Sequence, residues 1–196
     1  SAICARTERI RVGLAVQVLP LTNPLRVAEE AATVDHISKG RFEFGIGRSG
    51  LTRYYQGFNV PYEESRPRFI ESLEIIMKAW KQDTFSHNGR YHSYDDVTVV
   101  PKPFQNPHPP VTVAVAGEET FPMIGEMGHS IFISMNTGRE QLKHRLDSYR
   151  EARQQRETTT GHILMRVPVY VAETKEKARS EPEASARHAL MYAAQE

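Results

Sequence analysis

From Ile10 to Val18 every second residue is apolar: Ile10, Val12, Leu14, Val16 and Val18, with Arg11, Gly13, Ala15 and Gln17 between them. That near-continuous run predicts a buried strand closed by Pro20. The period then changes. Asn23 before Pro24 is a helix N-cap followed by proline at the first helical position. Leu25, Ala28, Ala32, Val34 and Ile37 recur at helical spacing, and Gly40 ends the helix. Phe42, Phe44 and Ile46 return to the two-residue period as a short second strand. Two strands joined through a helix of this length are parallel with a right-handed crossover.

The alternation continues along the chain. LTRYYQGFNVPYEESRPRF, from Leu51, is polar and aromatic; it is either an active-site loop or an ordinary surface connection. Phe69, Leu73, Ile76, Met77 and Trp80 then share a helix face, with Pro67 near its start and Trp80 read as core. Residues 83–110 differ in character. Asn88-Gly89 marks a hairpin, and PKPFQNPHPP is a proline-rich connector. Val111, Val113 and Val115 make the next strand, which ends in AGEET. Met123, Ile124 and Met127 follow in a helix up to Gly128. A strand over Ser130–Met135 leads through a turn at Asn136–Gly138 to a helix carrying Leu142, Leu146 and Tyr149. After a polar loop at 153–161, Ile163–Val171 reads as the fifth strand, and the charged helical end is broken at Pro182. The pattern is α/β, one domain over 1–196, with 83–110 as an elaborated loop.

Composition narrows the function. The 196 residues carry a net charge of +1, which points neither to nucleic acid nor to an anionic membrane surface. The longest apolar runs fall far short of a bilayer span. A single cysteine, Cys4, leaves no internal disulfide and makes a reducing cytoplasm the expected location. No CxxC or HExxH metal spacing occurs, and the eight histidines are scattered.

Ligands of α/β proteins gather at the carboxyl ends of parallel strands. There GIGRSG offers backbone amides and the guanidinium of Arg48, a combination suited to phosphate; the alternative is a plain turn with a solvated arginine. AGEET, where a strand runs into a helix start, is a second anion site if its amides and the Thr120 hydroxyl face the ligand. Glu118 and Glu119 oppose that electrostatically, or serve as first-turn acids. Gly45, Gly47 and Gly50 also spell G-x-G-x-x-G. A dinucleotide fold would continue into a helix with an apolar face, which LTRYYQGFNVP, with Gly57 and Pro61, lacks.

NPLRVAEEAATVDHISKGRFEFGIGRSGL resembles the corresponding stretch of the bacterial luciferase-like flavin monooxygenases. The shared pattern is a strand ending in LP, an N/H-P-x-R helix start, an LD-x-(L/I/M)-S-x-GR-(F/L) helix end and a G-(I/V)-x-R strand end. PKPFQNPHPP is similar to that family's insertion, and VYVAET to a later strand end. The resemblance implies a (β/α)8 barrel, reduced FMN delivered by a flavin reductase, molecular oxygen and a small organic substrate. Such a barrel takes about 250 residues, and about five parallel strands are recognisable here, so the expectation is an internal portion of a barrel. An opened barrel would expose strand edges and apolar faces that a second copy could cover, so a homodimer is expected. The resemblance also implies cofactor-binding positions: Ala15 and Val16 beside the flavin ring at a backbone bulge, Gly47 and Arg48, then Ala116, Gly117, Glu118 and Thr120 at the phosphate. Ala116 and Gly117 depart from the family's Glu-Ser, leaving backbone amides in place of those side chains. Arg41, at the other end of its strand, is expected to leave flavin affinity alone. No catalytic acid or base is identified. The alternatives are a non-catalytic flavin-binding protein of the same fold, since a catalytic histidine of the family has no counterpart here, and an oxidoreductase using the deazaflavin F420.

Overall fold

The computed structural model describes residues 1–134, 138–154 and 161–193. Its sheet is parallel throughout and advances strictly in chain order. β1 (Val12–Gly13) and β2 (Gln17–Val18) both pair with β3 (Phe42–Gly47). Beyond β3 lie, in turn, β6 (Val111–Ala114), β7 (Ser130–Ser134) and β8 (Ile163–Arg166). A separate antiparallel hairpin, β4 (Phe85–Asn88) and β5 (Ser93–Val97), stands between β3 and β6 in sequence. Among the described residues the strand order never reverses, so they contain no switch point of the doubly wound kind. The sheet is an open arc of a (β/α) barrel, five strand positions wide, as the resemblance implied.

The first strand departs from the expected continuous run. β1 and β2 are two pieces separated at Leu14–Val16, with a cis peptide between Ala15 and Val16. Ile10 and Leu14, expected in the core, are 58% and 44% exposed. The reason lies across the pairing. An alanine Cβ at Gly45 would stand 1.6 Å from the Leu14 carbonyl oxygen. The Leu14 backbone therefore occupies the space of a β3 side chain. Alternating hydrophobicity reports faces, and it carries no signal for a backbone excursion of this kind.

After the short α1 (Ala2–Arg6), α2 (Pro24–Ser38) begins as its sequence dictates: the Asn23 side chain accepts from the amides of Leu25 and Arg26 at 3.0 and 3.2 Å. Lys39 and Gly40 close it in the left-handed region, at φ 53° and 80°. Its buried face is Val27, Ala28, Ala31, Ala32, Asp35 and Ser38, and Ile37 lies partly exposed. The predicted stripe is thus turned, because the inner face uses a buried acid: Asp35 accepts from the backbone N–H and the side-chain amide of Gln105, at 2.9 and 2.7 Å.

α3 (Thr52–Gly57) is a six-residue helix inside what read as loop. α4 (Ser65–Lys81) buries Phe69, Leu73, Ile76 and Trp80 as expected; the indole N–H donates to the Ala28 carbonyl at 3.0 Å, and its ring meets Phe44 edge-on. The hairpin exists, but not with a tight Asn88-Gly89 turn: Asn88 pairs with Ser93, and residues 89–92 form the loop. The cause is Glu71 of α4, whose carboxylate accepts from the amides of Arg90, Tyr91 and His92 at 2.8–3.2 Å. α5 (Thr120–Met127) ends at Gly128, and α6 (Arg139–Gln154) packs Tyr149 into the core. The expected fifth strand stops at Arg166, and Val169 and Val171 are 78% and 84% exposed. α7 (Lys175–Ser180) and α8 (Glu183–Ala193) flank Pro182. Met135, two residues of the expected turn, and residues 155–160 of the expected polar loop lie outside the described residues.

Arg41, at the amino end of β3, is a structural clamp. Its guanidinium donates to the carbonyls of Cys4, Thr7 and Ile10 and to the Thr7 hydroxyl, at 2.8–3.1 Å.

Candidate active-site cleft

The carboxyl ends of β3, β6 and β7, with the segment between β1 and β2, open onto one cleft with a volume of about 260 Å³. Its walls are apolar: Phe69 from α4, Val113 and Val115, Met123 and Ile124 from α5, and Phe132 from β7. Ala15 and Val16, released from the sheet line by the β1–β2 break, form one side. Gly47 lies beneath, not on the surface. An alanine Cβ there would stand 2.7 Å from Val16 Cγ2 and 3.3 Å from Ala114 Cβ, so glycine lets the strand ends close together. A second cavity of about 240 Å³, over Gly13, Glu43, Gly45 and Thr112, shares Ala15, Val16 and Phe132 with the first. The break in the first strand therefore forms part of both walls.

Two guanidiniums, Arg48 and Arg66, line the cleft. Arg48 is held from behind. Its Nη1 donates to Ser65 Oγ at 2.9 Å, its carbonyl accepts from the Tyr55 hydroxyl, and its charge lies 5.6 Å from the Tyr62 ring centre. Burial pushes the Tyr55 phenol above its usual range, partly offset by Arg48 and Ser65. The phenol therefore stays protonated and keeps donating at neutral pH. Residues 51–69, read as either active-site loop or surface connection, thus supply the support behind Arg48. Arg66 was missed by sequence reasoning. It opens α4 beside Pro67, and its partner, Glu119, lies 53 residues further on. The available signal was weak: a guanidinium in the first turn of α4, the second helix after the GIGRSG loop.

The β6–α5 connection contributes Ala116, Gly117 and Thr120 to the lining. Its donors are partly engaged. The Thr120 hydroxyl donates to the Gly117 carbonyl, the Thr120 amide to the same oxygen at 3.1 Å, and the Phe121 amide to Glu118 at 3.3 Å. Arg145 of α6 donates to the Ala116 carbonyl at 3.0 Å. Glu118 turns away from the cleft, 3.6 Å from His144 and 57% exposed. Six of the eight expected residues thus line one cleft, Gly47 packs below it and Glu118 faces outward. Among the described residues no group of acids, histidines and cysteines could hold a metal ion, and no helix is long and apolar enough to cross a membrane.

The family model described as luciferase-like monooxygenase matches residues 1–196. The chain belongs to the luciferase-like monooxygenase family. It is 27% identical over 179 residues to the oxygenase component of the flavin-dependent trigonelline monooxygenase of Acinetobacter baylyi, covering 89% of this chain and 49% of that protein. The crystal structure of monooxygenase RslO1 from Streptomyces bottropensis superposes with a TM-score of 0.91 at 30% identity, over 99% of this chain and 60% of that one. The oxygenating constituent of 3,6-diketocamphane monooxygenase from Pseudomonas putida, solved with FMN, gives 0.80 at 20% identity, over 93% and 55%. An F420-dependent secondary alcohol dehydrogenase gives 0.79 at 16%, over 90% and 55%, a likeness of fold alone. The chain spans about half the length of the relatives it matches. Its luciferase-like sheet is accordingly half of their barrel.

Proposed function

We propose that the cleft binds flavin mononucleotide as a co-substrate of a two-component luciferase-like monooxygenase. The observation that carries this reading is a pair of guanidiniums, Arg48 and Arg66, at the rim of an otherwise apolar cleft at parallel strand ends. The donor set fits a phosphorylated aromatic ligand: charge for a dianion, and Phe69, Val113, Ile124 and Phe132 for a flat ring. Arg48, already oriented by Ser65 and Tyr62, would take the phosphate, with Arg66 and the hydroxyl of Thr120 beside it. Ala15 and Val16 would flank the ring. Reduced flavin, when bound, supplies the electrons that activate molecular oxygen toward a small organic substrate. The residues of the cleft hold the flavin and exclude water with their apolar walls. A separate flavin reductase would deliver the reduced cofactor, as the oxygenase-component relative suggests. In this reading the assembly is a homodimer located in the cytoplasm.

The test is a fluorescence titration of FMN and riboflavin. Arg48→Ala should weaken FMN about ten- to a hundredfold, since a charge-assisted bond contributes about 1.5–3 kcal/mol and about 1.4 kcal/mol is tenfold. Riboflavin, which lacks the phosphate, should lose much less. Arg48→Lys should recover part of the loss, because a point charge lacks the bidentate fork. Equal losses for both flavins would remove Arg48 from the phosphate site. The same titration with F420 decides between the two cofactors.

A further inference from the structure

The charged rim of the cleft carries an anion of the chain's own. Glu119 immediately precedes α5, and its carboxylate accepts from the guanidinium of Arg66. One of its oxygens stands 2.8 Å from where a Cβ on Gly117 would lie, so the carboxylate is folded back over the cleft-lining backbone. Its own backbone N–H, then Arg66, then the more distant charge of Arg48 hold its pKa below the usual carboxylate range. The side chain is nevertheless 56% exposed. Charge rather than packing therefore keeps it in place, and rotation about its own bonds is enough to carry it into water. Its neighbour Glu118 is the contrast: the same side chain, one residue earlier, faces His144 instead.

We propose that the Glu119 carboxylate competes with the flavin phosphate for Arg66, and so keeps the flavin readily exchangeable. This rests on the reading of the cleft as a flavin site. Two anions on one guanidinium repel each other, so phosphate entry exchanges one ion pair for another instead of adding a new one. Arg48 donates instead to the neutral Ser65 hydroxyl, and Glu119 acts on it only through the longer-range attraction of their charges. The two arginines then have different roles: Arg48 sets the preference for a phosphorylated ligand, and the Arg66–Glu119 pair sets how long it stays. A protein that receives its flavin from a second component needs the second property as much as the first.

The experiment compares Glu119→Gln, Glu119→Ala and, as a control of equal charge change at the far end of the same helix, Glu126→Gln. Each is titrated with FMN and with riboflavin, and FMN release is followed by stopped-flow fluorescence. Both Glu119 variants should bind FMN about three- to tenfold more tightly and release it correspondingly more slowly, the range expected from losing an exposed charge pair and its repulsion. Riboflavin should stay within about twofold of wild type in every variant, and Glu126→Gln should match wild type for both ligands. Unchanged or weaker FMN binding in both Glu119 variants would overturn the competition. So would an equal gain for riboflavin, or the same gain in Glu126→Gln. If wild type binds FMN no better than riboflavin and Arg48→Ala changes neither, the flavin-phosphate reading itself fails. A normal FMN preference with inert Glu119 variants refutes the competition alone.

Discussion

Gly45→Ala tests the break in the first strand that shapes one side of the cleft. The added Cβ would stand 1.6 Å from the Leu14 carbonyl oxygen and 2.7 Å from its carbon, both backbone atoms that no rotamer change can move. Real Cβ atoms keep at least 3.0 Å, so the Leu14 backbone must retreat by about 1.4 Å. That retreat strains or breaks the bond from the Leu14 amide to the Glu43 carbonyl, 3.3 Å long, which contributes about 1 kcal/mol. Overpacking strain adds about 1–3 kcal/mol. A loss of roughly 2–4 kcal/mol lowers the melting temperature by about 5–15 °C for a chain of this size. Ala15 and Val16 follow Leu14, so the ring side of the cleft moves while Arg48 does not. FMN and riboflavin should therefore weaken in parallel, unlike the phosphate-selective loss from Arg48→Ala. Circular dichroism melts and the two titrations measure both effects. Gly57→Ala, where a Cβ meets nothing within 4 Å, should melt at or slightly above wild type. A Gly45→Ala protein that melts within about 2 °C of wild type and binds both flavins normally would refute the reasoning.

Glu71 gives a pH-dependent test. Burial alone would raise its pKa, but the amides of Tyr91, His92 and Arg90, together with His87, pull it below the ordinary value. A lowered folded value means the stabilisation is present above the unfolded carboxylate pKa of about 4.3 and lost as pH falls through the folded one. Glu71→Gln should cost about 1–3 kcal/mol at pH 7 and progressively less below about pH 4; melting curves that differ equally at pH 3 and pH 7 would contradict this. Asp35→Ala should cost about 1–3 kcal/mol in urea denaturation, since it leaves two part-buried Gln105 donors unpaired, and Asp35→Asn should recover part of that.

Local chemistry made much of the fold legible. The Asn23-Pro24 start, the Phe69-to-Trp80 stripe and the βα alternation are short-range signals, and each stands where the residues predicted. What was illegible depends on residues far apart in sequence. Gly45 looks like part of a phosphate-loop motif, and only the approach of Leu14 reveals it as the socket of the first strand's break. Ile37 counts as apolar and Asp35 as polar, but Gln105, seventy residues later, decides which of them is buried. At the site, Arg48 was readable because it follows its own strand. Arg66 became visible only when α4 met the β6–α5 connection, and Glu119, weighed as an electrostatic objection to anion binding, turns out to be paired with it.

The strict chain order of the sheet also bears on how the molecule assembles. Among the described residues β3 pairs with β1 and β2, and β6, β7 and β8 each pair with the sheet strand just before them. As the chain leaves the ribosome, β3 can close on β1 and β2 as soon as α2 is complete, and its free edge then serves as template for β6, then β7, then β8. Pairing of this kind keeps sequence separations short and favours rapid, vectorial folding. The excursion at 83–110 is the one delay on that route. It is fastened at both ends, by Glu71 to the hairpin loop and by Asp35 to Gln105, before β6 is reached, so it should fold as a unit with α2 and α4 during synthesis.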